Sequence, residues 1–343
     1  MKKQMLEENL TDADLPQERE RESTKGEERT AKLLLLAVLG VVLSALGTYG
    51  SLSYFSAGEV TQTAAVAAAN ETASAPNPFD AITLEARAVY VFDVRTGNAL
   101  FALNSEAQLP LASITKLMTA LIVSEHLARD EEVLVGSESI AQEGSSGFIH
   151  GELFKMQELL AFTLVGSSND GAHALARAAT EGGTVETFVE AMNERALSLG
   201  LLQTYFRNPT GLDSTEQVSG GYGSAFDVAL LMAHILERYP AVMEQTRQET
   251  LQLASRSGGI YNATNTNSAT RTMPGLIASK TGYTDLAGGN LVVAFDSGLN
   301  HPIVAVVLGS TEEGRFRDMQ KLMDASRKAL QIGSFTNTNR EVQ

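Results

Sequence analysis

Three short groups of residues in this chain could together do chemistry that none could do alone. Ser113 and Lys116 stand three apart in Ser113-Ile114-Thr115-Lys116, Ser167 and Asn169 bracket Ser168, and Lys280-Thr281-Gly282 follows. A serine hydroxyl attacks an acyl carbonyl only when a neighbouring base takes its proton. On a helix, residues three apart share a face, so Lys116 can be that base. It can act only as the free amine, which requires its pKa to fall from near 10.4 through desolvation or through a second ammonium such as Lys280. The chain has no competing machinery of a familiar kind. Its five histidines, at 126, 150, 173, 234 and 301, show no H-x-x-x-H spacing, there is no cysteine, and no G-x-S-x-G is present. A zinc peptidase and a Ser-His-Asp hydrolase therefore lack their local signs, and no metal or other cofactor is called for.

Each group must be held by an element, and the flanking residues predict which. Pro110 precedes apolar residues at Ile114, Leu117, Met118, Leu121 and Ile122, the stripe of a helix starting near Ala112. Taken alone, Ser113 and Lys116 would read as an ordinary helix start with a solvated lysine one turn on. The second group falls between two helical runs, 159–164 and 172–179, with Gly166 able to end the first. Ser168, Asn169 or Asp170 can cap the second helix, and with Asp170 as the cap Ser167 and Asn169 would face a cleft. The third group ends an apolar run, 275–279, followed by alternating segments at 290–295 and 302–308 around a turn at 297–300. That is a strand and a hairpin, and Lys280-Thr281-Gly282 alone would read as an edge strand entering a turn. Alternation at 88–94 and 99–103 around Arg95-Thr96-Gly97-Asn98 predicts an earlier hairpin. Two strands at the start, three at the end and helices between predict an α+β fold: an antiparallel sheet whose first and last strands are neighbours, with a helical subdomain inserted.

The remaining sequence sets the expected location and organisation. With a formal charge of −15 over 343 residues and no basic run outside the N-terminus, a nucleic-acid partner is not expected. Residues 1–32 are polar and mixed in charge and read as a tail. From Leu33 to about Phe55 runs an uncharged apolar stretch, long enough to cross roughly 30 Å of hydrocarbon. Arg29 and Lys32 precede it and no Lys or Arg recurs until Arg87, which predicts a cytoplasmic tail and an extracytoplasmic remainder. A signal peptide cleaved near Ser56-Ala57 is the alternative; the long leader and long apolar core favour an uncleaved single-pass anchor in the cell membrane. Residues 56–80 read as a linker, 81–332 as a catalytic domain, and 333–343 as a polar tail.

In that order and context, the three groups make the chain resemble the serine-type D-alanyl-D-alanine carboxypeptidases, low-molecular-weight penicillin-binding proteins, over roughly residues 82–330. Further similar stretches are 109–113, 168–172, Phe206-Arg207-Asn208-Pro209-Thr210-Gly211-Leu212 and 280–288. The resemblance implies a fold like that of the β-lactamases and penicillin-binding proteins, a five-stranded antiparallel sheet flanked by helices plus a helical lobe. The β-rich second domain of many such carboxypeptidases is not expected here. It further implies Ser113 as nucleophile, Lys116 as base and Ser167 as proton relay. Asn169 would hold the substrate amide, and the backbone N–H groups of Ser113 and Tyr283 would form the oxyanion hole. Lys280, Thr281, Gly282, Tyr283 and Arg315 would line the substrate site, Thr281 and Arg315 taking the terminal carboxylate. Peptidoglycan stem peptides are the implied substrate and β-lactam antibiotics the implied inhibitors. The rivals are a D,D-endopeptidase cutting cross-links and a non-catalytic wall-binding protein. A β-lactamase fits less well, since Ser168 stands where Asp is usual and no general-base Glu loop is evident.

Overall fold

The structure is a computed structural model that describes residues 77–180, 184–298 and 300–338, with side chains placed as far as 332. The expected tail, anchor and most of the expected linker lie outside the described residues. Among the described residues, no helix is long and apolar enough to cross a membrane.

Strands Ala88–Asp93 (β1) and Asn98–Leu103 (β2) form the first hairpin. The chain then passes through helices Lys116–His126 (α1), Met156–Gly166 (α2), Asn169–Ala178 (α3), Val185–Ser198 (α4) and Ala225–Arg238 (α5). It returns to the sheet as Leu276–Thr284 (β3), Gly288–Asp296 (β4) and Pro302–Ser310 (β5) and ends in helix Gly314–Thr338 (α6). The strand order is β3-β4-β5-β1-β2, with every pair antiparallel. The first and last strands are neighbours as expected, Ala88 opposite Leu308 and Asp93 opposite Ile303.

Both faces of this sheet are covered, which explains why its strands are apolar almost throughout. Val89, Val91, Leu291, Val293, Phe295, Ile303, Ala305 and Val307 face one side and pack with Met319, Leu322 and Met323 of α6. Their alternates, including Ala88, Tyr90, Val292, Ala294, Val304 and Val306, share a core with α1, α2 and α5. A 3-10 turn at Pro78–Ala81, inside the stretch expected to be linker, belongs to the domain: Phe79 is buried and stacks on Phe101 with centroids 5.0 Å apart. At the other end, α6 runs to Thr338, into the stretch expected to be a polar tail.

Three local expectations need correction. Helix α1 begins at Lys116, after a 3-10 turn at Ala112–Thr115, because Ala112 adopts φ +48°, a left-handed value incompatible with a helix start. The helix is not amphipathic either. Lys116 through Val123 are all buried, because α1 is the central helix of its lobe, with α3, α4 and α5 packed around it. Gly166 is the last residue of α2 but not its left-handed cap, which is Ser167 at φ +59°. Gly166 lies where a Cβ would come within 2.9 Å of the Ala263 Cβ, so its missing side chain admits the short hairpin Thr250–Ala254 and Ile260–Thr264.

Candidate active site

The turn that carries Ser113 is clamped from two sides. The Asn290 side chain, fully buried in β4, donates to the carbonyls of Pro110 and Leu111 at 2.9 and 3.0 Å and accepts from the Gly309 N–H at 2.8 Å. On the other side the chain passes so close at Gly211 that a Cβ there would lie 1.9 Å from the Ala112 carbonyl oxygen. Asn208 shapes that segment, accepting from the N–H groups of Thr210 and Gly211 and donating to the Leu212 carbonyl. Together these contacts hold Ala112 in its left-handed conformation, which costs about 1–2 kcal/mol.

Lys116 sits beneath Ser113 with 1% of its surface exposed. The solvated-lysine reading of the sequence does not hold. Its Nζ has three neighbours: Ser113 Oγ at 2.9 Å, Asn169 Oδ1 at 2.7 Å and the Thr210 carbonyl at 2.7 Å. The last two can only accept, and Asn169 is oriented by its Nδ2 donating to the Glu143 carbonyl at 2.7 Å. A free amine has two N–H donors and one lone pair. With both donors taken by Asn169 and Thr210, the lone pair is left for the Ser113 hydroxyl. Burial, with the Lys280 ammonium adding to it, pushes the Lys116 pKa well below its ordinary value; Asp170 opposes this.

Lys280, on β3, is also 1% exposed and donates to Ser167 Oγ and to the Thr281 carbonyl, both at 2.8 Å. Burial, then the nearby Arg315, lowers its pKa to about 7. The Thr281 hydroxyl is 2.5 Å from that of Thr266. Gly282 passes against the nucleophile turn, where a Cβ would meet the Leu111 carbonyl oxygen at 2.7 Å and the Ile114 nitrogen at 3.2 Å. Tyr283, next in the strand, is 46% exposed. Arg315, at the start of α6, donates through Nη1 to the Gly282 carbonyl at 3.0 Å.

The lowered Lys280 pKa carries a stability prediction. Between about pH 7 and 10.5 the unfolded chain holds a proton at this site that the folded chain has lost, so stability should rise with pH across that window. The fall from 10.5 to about 7 corresponds to roughly 5 kcal/mol as an upper bound. Lys280→Met should remove this contribution, making the rise of the urea midpoint with pH over that window shallower and leaving the part due to Lys116. An unchanged slope would mean that Lys280 stays charged in the folded chain.

The structure brings Ser113, Lys116 and Asn169 into one hydrogen-bonded group, and Ser167 with Lys280 into another. Of the three candidate caps of α3, the N-cap is Ser168 and not Asp170. Ser168 caps α3 by accepting from the Gly171 N–H at 3.0 Å, while buried Asp170 also accepts from Gly171 and ties down the loop at Ser145 Oγ and Ser146 N–H, 2.8 and 2.7 Å away. Reasoning from the sequence missed Asn290, Thr266 and the strained Ala112. For Asn290 a signal existed, a polar residue within the strand Gly288–Asp296, which is otherwise apolar up to Phe295. For Thr266 and Ala112 we find none. Among the described residues no cluster of His, Asp and Glu is placed to hold a metal ion.

A family model described as D-alanyl-D-alanine carboxypeptidase matches residues 69–312. The chain is 33% identical over 247 residues to the D-alanyl-D-alanine carboxypeptidase DacF of Bacillus subtilis, covering 70% of this chain and 61% of that protein. It is 31% identical over 251 residues to DacD of Escherichia coli, covering 68% of this chain and 61% of the relative. The chain thus spans about three-fifths of the length of these curated relatives. Among solved structures, penicillin-binding protein D2 from Listeria monocytogenes, in its ampicillin-bound form, aligns with a TM-score of 0.60 at 28% identity, covering 73% of this chain and 99% of that one. A D-alanyl-D-alanine carboxypeptidase from Mycobacterium tuberculosis shares the fold with a TM-score of 0.66 at 24% identity, over 74% of this chain and 94% of that one. With the five-stranded sheet, the helical lobe and the paired serines and lysines in place, the match over residues 69–312 makes this chain a member of the D-alanyl-D-alanine carboxypeptidase family, with the penicillin-binding-protein fold.

Proposed function

We propose that the chain is a serine D-Ala-D-Ala carboxypeptidase that removes the terminal D-alanine from peptidoglycan stem peptides. The observation that carries this reading is the arrangement at Lys116, whose two acceptor-only neighbours leave its lone pair for Ser113. Ser113 Oγ bonds to the penultimate D-Ala carbonyl carbon and its proton passes to Lys116. The C–N bond to the terminal D-Ala then breaks as the leaving amine takes, through Ser167, the proton that Lys116 had accepted; Lys280 holds Ser167 in place and Lys116 is neutral again. Water hydrolyses the resulting ester with Lys116 as base, and the proton taken from the water passes to Ser113 Oγ as the acid leaves. The backbone N–H groups of Ser113 and Tyr283 receive the oxyanion. Asn169 holds the substrate amide, and the Gly282 strand flanks it.

The terminal carboxylate falls to Thr281, beside Thr266, and to Arg315. Arg315 is 6% exposed, and its Nε is buried without an acceptor among the described residues. The Listeria relative's ampicillin-bound state supports β-lactams as acylating inhibitors of the same serine. We further propose residues 33–55 as the membrane anchor, with residues 1–32 cytoplasmic, a linker running from residue 56 to the domain's first turn at Pro78–Ala81, and the catalytic domain outside the cytoplasm. The uncharged span and the upstream Arg29 and Lys32 support this.

The test is incubation of the purified chain with a pentapeptide ending in D-Ala-D-Ala, beside cross-linked muropeptide dimers. Release of D-alanine from the pentapeptide is expected. A chain that cuts dimers and releases no D-alanine would be a D,D-endopeptidase, and one that does neither a wall-binding protein.

A further inference from the structure

Arg315 approaches β3 at the one peptide unit that joins Gly282 to Tyr283. Its Nη1 donates to the Gly282 carbonyl at 3.0 Å, and its guanidinium lies 4.8 Å from the centroid of the Phe316 ring. The Gly282 carbonyl and the Tyr283 N–H are opposite ends of one planar unit and point in opposite directions. Strand alternation shows which edge each one faces, because a residue's own N–H and C=O share an edge and those of its neighbours take the other. The Ser279 N–H donates to Thr246 Oγ1 at 3.1 Å, and the Thr281 carbonyl accepts from Lys280 Nζ at 2.8 Å. Neither partner belongs to β4, so Ser279, Thr281 and Tyr283 present their backbone groups at the outer edge of β3. This is the terminal strand of the sheet, and among the described residues no further strand covers that edge. Gly282 faces the other way, where Arg315 meets it.

We propose that Arg315 is a positioning residue for the oxyanion-binding N–H of Tyr283. By donating to the Gly282 carbonyl it orients and polarises the Gly282–Tyr283 peptide and so strengthens the donor at its other end. This rests on the acyl-transfer reading above and adds a role separate from carboxylate binding, carried by a different nitrogen. The bond is charge-assisted and shielded from water, the setting in which one hydrogen bond most strengthens the next. A carboxylate clamp would act on substrates that have a carboxylate. A polarised oxyanion hole acts on every acyl donor.

The full-length chain in detergent and its Arg315→Met and Arg315→Gln variants, each checked by melting temperature, separate the two roles. The first probe is a thioester of an N-acylated D-alanine whose leaving thiol has no carboxylate. Since a whole oxyanion donor is worth about 10²–10³ in rate and a neighbour tunes only part of it, Arg315→Met should lower the saturating acylation rate about 3- to 10-fold. The half-saturating concentration should not change. Arg315→Gln, which keeps a donor and drops the charge, should fall in between. The second probe is the infrared stretch of the acyl carbonyl in the penicillin-derived acyl-enzyme, which should move to higher frequency in both variants as the hole weakens. A merely structural role would not move that band. If Arg315→Met does not fold, Arg315→Gln against wild type decides in the same way. The inference is overturned if the folded variants keep the wild-type thioester rate and carbonyl band and lose only affinity for the D-Ala-D-Ala peptide. A wild-type chain that forms no acyl-enzyme with either probe overturns the acyl-transfer reading, and this inference with it.

Discussion

Lys116→Ala is expected to slow acylation by penicillin about 10²- to 10⁴-fold, the range that a positioned general base contributes. The variant loses the one side chain that, among the described residues, hydrogen-bonds to the Ser113 hydroxyl. The effect on stability is the sum of opposing terms. Truncation leaves Asn169 Oδ1 and the Thr210 carbonyl without their donor, at about 1–3 kcal/mol for each group, and opens a cavity. It also removes a buried amine whose charged form the site disfavours. The melting temperature is measured beside the rate, so that loss of the base is read only from folded chain. A folded Lys116→Ala chain that acylates normally would remove Lys116 from the mechanism. In the wild type, acylation should rise with pH through the lowered Lys116 pKa, since only the free amine can accept the serine proton.

The parts of this site that were legible in the sequence are those set by local geometry. Ser113 and Lys116 could be paired because three residues make nearly one helical turn, and that pairing survives even though the turn is 3-10 and the α-helix begins only at Lys116. The hairpins were legible because apolar runs were separated by turn residues, and the neighbouring of β1 and β5 because antiparallel strands at the two ends of a domain close a sheet. What could not be read depends on partners distant in the chain. Ala112 holds φ +48° because Asn290 pins the Pro110 and Leu111 carbonyls from nearly 180 residues away and Gly211 presses from the other side. Gly166 looked like a helix stop, yet its role is to admit the hairpin at Ala263. The stripe on α1 looked like one buried face because the periodicity of its largest residues does not reveal that Thr119 and Ala120, on the other faces, are buried as well.

Ser113→Ala should abolish the acyl-enzyme altogether and leave the fold intact, since among the described residues Ser113 Oγ has Lys116 Nζ as its one side-chain partner and the turn is held through its backbone carbonyls by the Asn290 side chain. Loss of the nucleophile in a serine hydrolase is typically worth about 10⁶ in kcat. The most direct test of the account is mass spectrometry of the full-length chain after incubation with penicillin, followed by digestion. The predicted result is one equivalent of penicillin on the peptide containing Ser113, and none on the Ser113→Ala chain. Undiminished labelling of Ser113→Ala, or an adduct on any other residue of the wild type, would contradict it.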